Sequence, residues 1–487
     1  MSDVGIVKKK ALKSAKWMVI TSILSMLCSY GSNILLGQIS PETLGIYSAV
    51  NVFISSLTTF VGMGGAVVLS NFFPKMDSDV QKTQLLHTYI AISFGMYMVF
   101  AAVIVIFPEM NLLLSGGLDG IAKWIALLVM APIYITMTII SYLLIALLEA
   151  RISNIMSKLY TILLPVVLLL VYLVDRRLLE SHLALIIFCS VIVSNILAIA
   201  LGVTFIKREK VIVRAKGLYL PKGFCFFTIT TFMQALFSFL YKNADKMFLI
   251  SLKDMGQLGY YQAIISIFTL VEFIPSLLGN VTIPYFSNIL KVGNKKDIEE
   301  SYERIEKYML FFLVSCVISV ISFSDIALNM FGKEYINFKY LLIILVVAKC
   351  VASLGFTNTP MMVVLEKNGL RLINSALQIA IQFSITFLCI SKLGILAVVL
   401  GRTIGVCSAQ IMPQLMIKYK SGYQIRLSKA YYSGIICTVI LGIIQIVFNP
   451  NIGLSIAFGI IGWFVFLIGG RFNKRDFASM INMVFKR

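Results

Sequence analysis

The sequence predicts an all-α membrane protein with about fourteen transmembrane helices. Of its 487 residues, 59% are apolar and only 13% are charged, and the mean hydropathy is +0.92. A soluble domain usually has about a quarter of its residues charged. Apolar stretches of roughly 20 residues, the length that crosses a bilayer, recur along the whole chain. Because no soluble core of this size could bury so much apolar surface, the excess must face lipid.

The apolar stretches define the individual spans. We predict spans at 17–36, 44–73, 85–107, 122–148, 155–174, 182–206, 224–251, 259–290, 307–330, 338–365, 370–391, 393–417, 428–448 and 451–470. The first span is longer than the roughly 7–15-residue core of a cleaved signal peptide, so we interpret it as a retained helix. The last two are joined by Asn449-Pro450, a turn signal between two apolar runs.

Lys and Arg residues are unevenly distributed between alternate loops. Of the 42, one set of loops with its adjoining helix ends carries 31, the opposite set carries 7, and 4 lie within spans. The positive-inside rule therefore predicts that both termini are cytoplasmic, although Arg176 and Arg177 then lie outside. The net charge of +20 is spread over short loops rather than one basic domain, which argues against nucleic acid as a partner.

Two segments resemble each other at a spacing of 214 residues. The sequence L-G-I-Y-S-A at 44–49 aligns with L-G-Y-Y-Q-A at 258–263, and each opens a long span after a short outside loop. Six spans per half would make the repeats parallel. We therefore predict a six-helix N-terminal lobe at 1–206, a basic cytoplasmic linker at 207–223, a six-helix C-terminal lobe at 224–420, and two additional helices with a basic cytoplasmic tail at 421–487.

The same segments resemble a known family. The stretch L-G-Q-I-S-P-E-T-L-G-I-Y at 36–47 is similar to the opening of the Wzx-type polysaccharide-biosynthesis flippases, members of the multidrug/oligosaccharidyl-lipid/polysaccharide (MOP) exporter superfamily. The stretch N-A-D-K-M-F-L at 243–249, followed by G-Y-Y at 259–261, is similar to that family's element in the second lobe. The resemblance covers most of the chain in the number of spans and the lengths of loops.

The resemblance implies a V-shaped pair of six-helix lobes and a function. Such a flippase moves undecaprenyl-pyrophosphate-linked oligosaccharide repeat units, destined for O-antigen, lipopolysaccharide, capsule or another surface polysaccharide, to the outer leaflet. It implies a multi-pass protein of the bacterial cytoplasmic (inner) membrane. It also implies the polymerase and the chain-length machinery as partners.

Ionisable residues within spans are costly and mark functional sites by default. In the seventh span, a polar stripe lies within one narrow arc at about 100° per residue. It comprises Thr231, Gln234, Ser238, Lys242 and Asp245, with Lys246 beside it. We expect this stripe to line an aqueous cavity, whereas the competing interpretation is a structural Lys242–Asp245 pair with Lys246 extended towards the interface.

Three further charges belong to the same half of the chain: Glu272, Lys349 and Arg402. Each lies roughly 8–13 residues from the predicted outer end of its helix, at a depth similar to that of Lys242. Four cations against two carboxylates suit a pyrophosphate, which needs charge-assisted donors within the membrane. An Arg402 side chain that merely extends to the interface is the alternative. The first lobe offers no equivalent charges, and we expect its hydroxyl stripe, Thr21, Ser25, Ser29 and Ser32, to join helices.

The sequence contains no G-x-x-x-x-G-K-[ST] motif and no catalytic cluster. We therefore predict transport by alternating access without ATP rather than an enzymatic reaction. The inside-negative potential favours outward movement of an anion by about 2.3 kcal/mol per charge per 100 mV. Exchange for H⁺ or Na⁺, with Asp245 and Glu272 as carriers, is the alternative driving force. The eight cysteines lie in apolar stretches and the only histidines are His87 and His182, so neither a metal nor a cofactor is predicted.

Three alternative functions remain. A lipid II flippase of the same superfamily would carry charges in the cavity of its first lobe. A multidrug exporter would usually have twelve spans and a carboxylate inside its first lobe. A membrane-embedded glycan polymerase or ligase would need acids, Arg or His in a large outer loop. The longest outer loop, 108–121, offers only Glu109 and Asp119.

Overall fold

The structure is a computed structural model of the chain. It describes residues 3–118, 120–209, 213, 215–292, 294–365, 368–420, 423, 427–474 and 476, with the backbone alone at 3–16, 115, 208–209, 274–281, 283–285, 288, 291–292, 368 and 420. The described residues form α-helices with short 3₁₀ and π segments, and no β-strand occurs among them. The all-α prediction is confirmed.

The helices divide between two compact units, 1–259 and 260–487. The helices that begin in unit 1 are α1 Asp3–Ile39, α2 Pro41–Gly62, α3 Gly65–Phe72, α4 Asp79–Ile106, α5 Pro108–Ser115, α6 Gly120–Trp124, α7 Ala131–Ala146, α8 Ala150–Val174, α9 Arg176–Glu209, α10 Phe224–Ser251 and α11 Met255–Val292. A 3₁₀ turn, Phe73–Lys75, extends α3, and a π-helical segment, Ile125–Met130, joins α6 to α7. Helix α11 continues into unit 2.

Unit 2 contains the remaining helices. They are α12 Lys295–Ser322, α13 Ser324–Asn329, α14 Lys339–Val351, α15 Gly355–Val364, α16 Asn368–Leu393, α17 Ile395–Ser408, α18 Ile411–Lys420, α19 Lys429–Val447 and α20 Ile452–Gly469. A 3₁₀ segment, Lys333–Phe338, precedes α14. A second, Ala352–Leu354, separates α14 from α15, so the predicted tenth span is a broken helix.

Thirteen helical segments within the described residues are long and apolar enough to cross a membrane. They begin at Trp17 and end at Gly469, and they match the predicted spans except the eighth, at 259–290. That span coincides with α11, part of whose side chains lie outside the described residues. The chain is therefore a multi-pass membrane protein, as the composition predicts.

The largest error in the predicted boundaries is at the ninth span. It was predicted at 307–330, whereas α12 begins at Lys295 and ends at Ser322. A capping box starts the helix: Asn294 accepts from the Asp297 N–H, and the Asp297 carboxylate accepts from the Asn294 N–H. The charged residues after it lower the hydropathy but leave a buried apolar face, which a hydropathy window does not detect.

Helix starts elsewhere follow the local sequence. The motif S-P-E at 40–42 opens α2, with Ser40 Oγ accepting from the Thr43 N–H at 3.1 Å and Pro41 in the first turn. Proline is favoured there because its missing N–H would have no partner in the helix. Ser78 caps α4 in the same way. The residues that carry the family resemblance thus fix where a long membrane helix begins.

Helix α10, predicted to open the second lobe, packs against α2, α3 and α5 within unit 1. The lobe boundaries at 206 and 224 are inferred from the repeat and remain a prediction. The described part of the linker runs along the start of α4, where Gln84 Nε2 donates to the Lys216 carbonyl and Thr88 Oγ1 to the Tyr219 carbonyl. Linker residues 210–212 and 214 lie outside the described residues.

The end of the described chain is held against α12. Lys307 Nζ donates to Asp476 Oδ2 at 2.7 Å and to the Arg471 carbonyl at 2.8 Å. Burial raises the pKa of the Asp476 carboxyl, but hydrogen bonds from Lys307 and from the Asn473 N–H outweigh burial and hold that pKa below its usual range. The remainder of the predicted basic tail lies outside the described residues.

Candidate functional site

The polar stripe of the seventh span lies on α10, where it divides into two parts. Gln234, Ser238 and Lys242 have exposed side chains, whereas Thr231 is buried and Asp245 is 1% exposed. Lys246 is half-buried, and neither it nor Asp245 is without a partner. The exposed part forms one polar face of α10 that is accessible from outside the protein.

The predicted alternative, a structural pair between Lys242 and Asp245, is not present. No ion pair joins these two side chains in the described part of the chain, and Lys242 Nζ makes no hydrogen bond there. Instead, the charge of Lys242 acts repulsively on that of Lys158. Lys158 lies on α8 and is half-buried. Two ammonium groups from separate helices of unit 1 therefore lie within range of each other's charge.

Lys158 corrects the prediction that residues 1–206 contribute no charge to the site. The residue lies within the predicted fifth span, near its start, and the orientation count had grouped it with the loop cations. Its position inside an apolar span was the available signal. Lys158 belongs to the predicted N-terminal lobe and Lys242 to the predicted C-terminal lobe, and both lie in unit 1.

The hydroxyl stripe of the first span joins helices, as predicted. Ser25 Oγ lies 2.8 Å from Thr161 Oγ1 of α8, and Asn154 of α8 donates to Thr21 Oγ1. Ser32 Oγ donates to the Cys28 carbonyl within its own helix. These hydroxyls satisfy one another and the backbone, which is the usual role of small polar residues between membrane helices.

The charges of the second half converge within unit 2. Lys349 Nζ donates to Glu272 Oε1 at 2.5 Å, and the pair is partly buried, with 11% and 29% of the side chains exposed. Lys349 Nζ also lies 5.9 Å from the ring centroid of Phe268 and 5.0 Å from that of Phe356. Lys349 is in the last turn of α14, where the helix dipole favours a cation.

Arg402 faces the same aromatic ring from a third helix. Its guanidinium carbon lies 5.6 Å from the centroid of Phe268, and 6% of the residue is exposed. A buried guanidinium beside an aromatic ring is not a side chain extended to the interface, so that alternative is wrong. Glu272 of α11, Lys349 of α14 and Arg402 of α17 therefore form one cluster around Phe268.

The predicted site residues thus occupy two places. Gln234, Ser238, Lys242, Asp245 and Lys246 belong to unit 1, and Glu272, Lys349 and Arg402 belong to unit 2. The unit 2 cluster holds two cations and one carboxylate, leaving an excess of positive charge. Both groups offer ammonium or guanidinium donors to an anion, and contacts to the largely buried donors of unit 2 would be stronger than in water.

A second ionisable residue, Glu306, was predicted to lie in a loop. Glu306 lies inside α12 and is 2% exposed. Among the described residues, no group of three or more His, Cys, Asp or Glu side chains is arranged to hold a metal ion.

The fold is that of a polytopic, all-α membrane protein. The model of the family described as "Polysaccharide biosynthesis protein" matches residues 11–290, more than half of the chain, and the protein belongs to this family. A sequence search of the curated proteins finds no match.

Solved structures share the fold across nearly the whole chain. The structure titled "Lipid II flippase MurJ, inward closed conformation" has a TM-score of 0.71 at 15% identity, covering 96% of this chain and 99% of MurJ. An inward-facing multidrug resistance MATE family transporter of the MOP superfamily has a TM-score of 0.63 at 15% identity, covering 84% of this chain and 98% of its own. The fold of the MOP superfamily, predicted from the sequence, is confirmed.

Proposed function

We propose that the protein is a flippase that moves undecaprenyl-pyrophosphate-linked oligosaccharide repeat units from the inner to the outer leaflet of the bacterial cytoplasmic membrane. Membership of the polysaccharide biosynthesis family supports a role in building a surface polymer such as O-antigen or capsule. The transporters that share its fold support movement of a substrate without making or breaking a bond. The N and C termini are cytoplasmic in this proposal.

The observation that carries the choice of substrate is the Lys158–Lys242 pair. Two like charges held within mutual range in a membrane protein repel each other, and the described residues supply neither with an ion pair. A diphosphate carries negative charge on both phosphates, so binding between the two ammonium groups would replace repulsion with two charge-assisted contacts. The exposed Gln234 and Ser238 on the same helix would then hydrogen-bond to the adjoining sugar.

In unit 2, the excess positive charge around Phe268 offers a second anion-binding position. Lys349 forms an ion pair with Glu272, and the guanidinium of Arg402 lies beside the same Phe268 ring. Alternating access between conformations would expose such positions to one leaflet and then the other. The membrane potential would favour export of the anionic head group by about 2.3 kcal/mol per charge per 100 mV.

Deletion of the gene tests this proposal. We expect lipid-linked repeat units to accumulate on the inner face and the surface polymer to disappear, with both effects reversed by the wild-type gene. Repeat units that reach the outer face but are not polymerised would indicate a polymerase or ligase instead. Arrest of peptidoglycan synthesis with intact surface polymer would indicate lipid II as the substrate.

A further inference from the structure

Helices α1 and α8 meet at a cation–aromatic contact near the predicted cytoplasmic surface. The guanidinium carbon of Arg151, in the first turn of α8, lies 4.3 Å from the ring centroid of Trp17 on α1. One turn further into the predicted first span, Asn154 of α8 donates to Thr21 Oγ1, which links the same two helices. The Arg151–Trp17 contact is therefore the cytoplasmic end of the seam between α1 and α8.

Arg151 has hydrogen-bond donors that the protein leaves unused. A guanidinium carries five N–H donors in one plane, and an aromatic ring does not neutralise its charge. The Nε atom of Arg151 is buried without a hydrogen-bond partner, and no described residue forms a hydrogen bond or an ion pair with this side chain. Glu149, two residues earlier, is therefore not its counter-ion. A partly buried guanidinium in this state favours an anionic ligand.

The surroundings of this contact are those of a membrane interface. Trp17, Met18 and Leu148 are large, mainly apolar side chains, and all three are exposed. Tryptophan is enriched at the level of the lipid head groups, where its ring meets acyl chains and its N–H meets polar groups. These neighbours place the unused donors of Arg151 at the level of the lipid phosphates.

Further positive charge precedes the contact along α1. The backbone of α1 is helical from Asp3 onwards, so Lys13 and Lys10 lie about one and two turns before Trp17. The nine residues before Trp17 contain five lysines: Lys8, Lys9, Lys10, Lys13 and Lys16. A cluster of roughly 4–8 basic residues directly on the cytoplasmic side of a membrane helix attracts anionic lipids. The ligand that this end of the seam favours is therefore an anionic lipid.

We propose that the Arg151–Trp17 contact binds the head group of an anionic phospholipid from the cytoplasmic leaflet. The lipid phosphate accepts hydrogen bonds from the guanidinium, whose planar geometry matches two phosphate oxygens. The acyl chains lie along the exposed apolar side chains beside the contact. A lipid bound there stabilises the packing of α1 against α8 at their cytoplasmic ends. This site depends on the predicted orientation of the chain and not on the proposed substrate.

Trp17 itself can report the occupant. The chain contains three tryptophans, so the double variant Trp124→Phe, Trp463→Phe leaves Trp17 as the only one. In bilayers that contain brominated phosphatidylglycerol or brominated phosphatidylcholine with the same acyl chains, the bromine atoms quench the fluorescence of Trp17 when that lipid lies beside it. We expect a preference for phosphatidylglycerol in this quenching. Arg151→Gln should lower the preference about fivefold, the usual effect of one basic residue at an anionic membrane surface.

Lys75→Gln is the matched control. Lys75 Nζ also lies near an aromatic ring, 5.6 Å from the centroid of Phe72, and it is cytoplasmic in the predicted topology. Unlike Arg151, it already has a partner, because its ammonium group donates to Asn71 Oδ1 at 2.8 Å. Lys75→Gln removes the same charge as Arg151→Gln and should keep the lipid preference of the parent chain.

A second measurement uses the natural tryptophans. The thermal unfolding midpoint of the purified full-length protein in detergent is compared after addition of phosphatidylglycerol, phosphatidylcholine or sodium phosphate, the last against NaCl of equal ionic strength. Phosphatidylglycerol should raise the midpoint of the wild type and of Lys75→Gln more than phosphatidylcholine does. Arg151→Gln should respond equally to the two lipids, and sodium phosphate should have no effect of its own.

A lipid preference that Arg151→Gln retains, or no preference in the parent chain, would overturn the proposal. A midpoint that Arg151→Gln lowers equally in both lipids would show that the contact only packs α1 against α8. A response to sodium phosphate as large as that to phosphatidylglycerol would assign the site to a free anion instead. If the tryptophan variants do not accumulate, the midpoints decide alone. The proposed substrate is absent from both measurements, so their failure leaves the proposed transport function untouched.

Discussion

Gly45 packs directly against the main-chain carbonyl of Met255, so closely that a β-carbon at position 45 would overlap the carbonyl oxygen. The reverse contact is also present: a β-carbon on Gly259 would overlap the carbonyl of Pro41. Pro41 and Met255 are 214 residues apart, as are Gly45 and Gly259, and this is the spacing of the sequence repeat. The first turns of α2 and α11 therefore cross through two equivalent contacts that only glycine allows.

Substitution of either glycine by alanine should lower stability. Overpacking costs typically about 1–3 kcal/mol, and here backbone must move because the opposing atoms are carbonyl groups. Gly31→Ala is the matched control, since a β-carbon there meets nothing within 4 Å and alanine favours a helix. Thermal unfolding midpoints of the purified variants measure the difference. Similar midpoints for Gly45→Ala, Gly259→Ala and Gly31→Ala would show that the crossing is not tightly packed.

The topology can be tested with reporter fusions. The uneven distribution of Lys and Arg predicts that fusions at Lys216 and Asn294 report the cytoplasm, whereas fusions at Gly116 and Pro450 report the exterior. In the predicted topology, an odd number of spans separates each cytoplasmic position from each exterior one. A reporter active outside the cell at Lys216 would reverse the whole orientation and remove the cytoplasmic termini from the proposal.

The spans could be predicted from the sequence because roughly 20-residue apolar runs have few alternatives in a chain of this composition. The start of α12 could not, because its first three turns are amphipathic rather than apolar. Ile298, Tyr302, Ile305 and Met309 nevertheless recur at helical spacing and are all buried. A search for that period would have extended the helix over Glu306 and placed a carboxylate inside the bundle.

Which charges share a site was less predictable. Glu272, Lys349 and Arg402 were grouped because they lie at similar depth in their helices, and in the structure they lie around Phe268. Depth does not give the direction in which a side chain points. Lys242 therefore remained paired with Asp245 in one interpretation, and its interaction with Lys158 required the packed structure. With Lys158 present, absence of charge in the first half no longer argues against a lipid II flippase.

The proposed role of Lys158 and Lys242 in binding the substrate can be tested by removing the charge of either lysine. Replacing either lysine by glutamine should reduce export of the surface polymer because one charge-assisted contact is lost, while the removal of mutual repulsion should leave protein levels unchanged or higher. Quantified surface polymer, normalised to membrane protein level, measures the effect. Lys123→Gln, outside both candidate clusters, serves as the control. Full export by the Lys158→Gln, Lys242→Gln double variant would exclude this pair from binding substrate.

Variants of the Glu272–Lys349 pair can distinguish a structural role of the pair from a role in binding the substrate. Removing one partner should destabilise the protein by about 1.5–3 kcal/mol, the range for a hydrogen bond to a charged group. If Lys349 also binds the pyrophosphate, Lys349→Ala should abolish export, and Lys349→Arg should retain more export than Lys349→Gln because the positive charge is preserved. The decisive variant is Glu272→Gln, Lys349→Gln, which removes both charges of this pair, so that neither partner is left without the other. If Lys349 binds the pyrophosphate, this double variant accumulates normally in the membrane and still fails to export polymer. If it exports normally, and Arg402→Gln added to it also exports normally, the cluster around Phe268 holds helices together and binds no substrate.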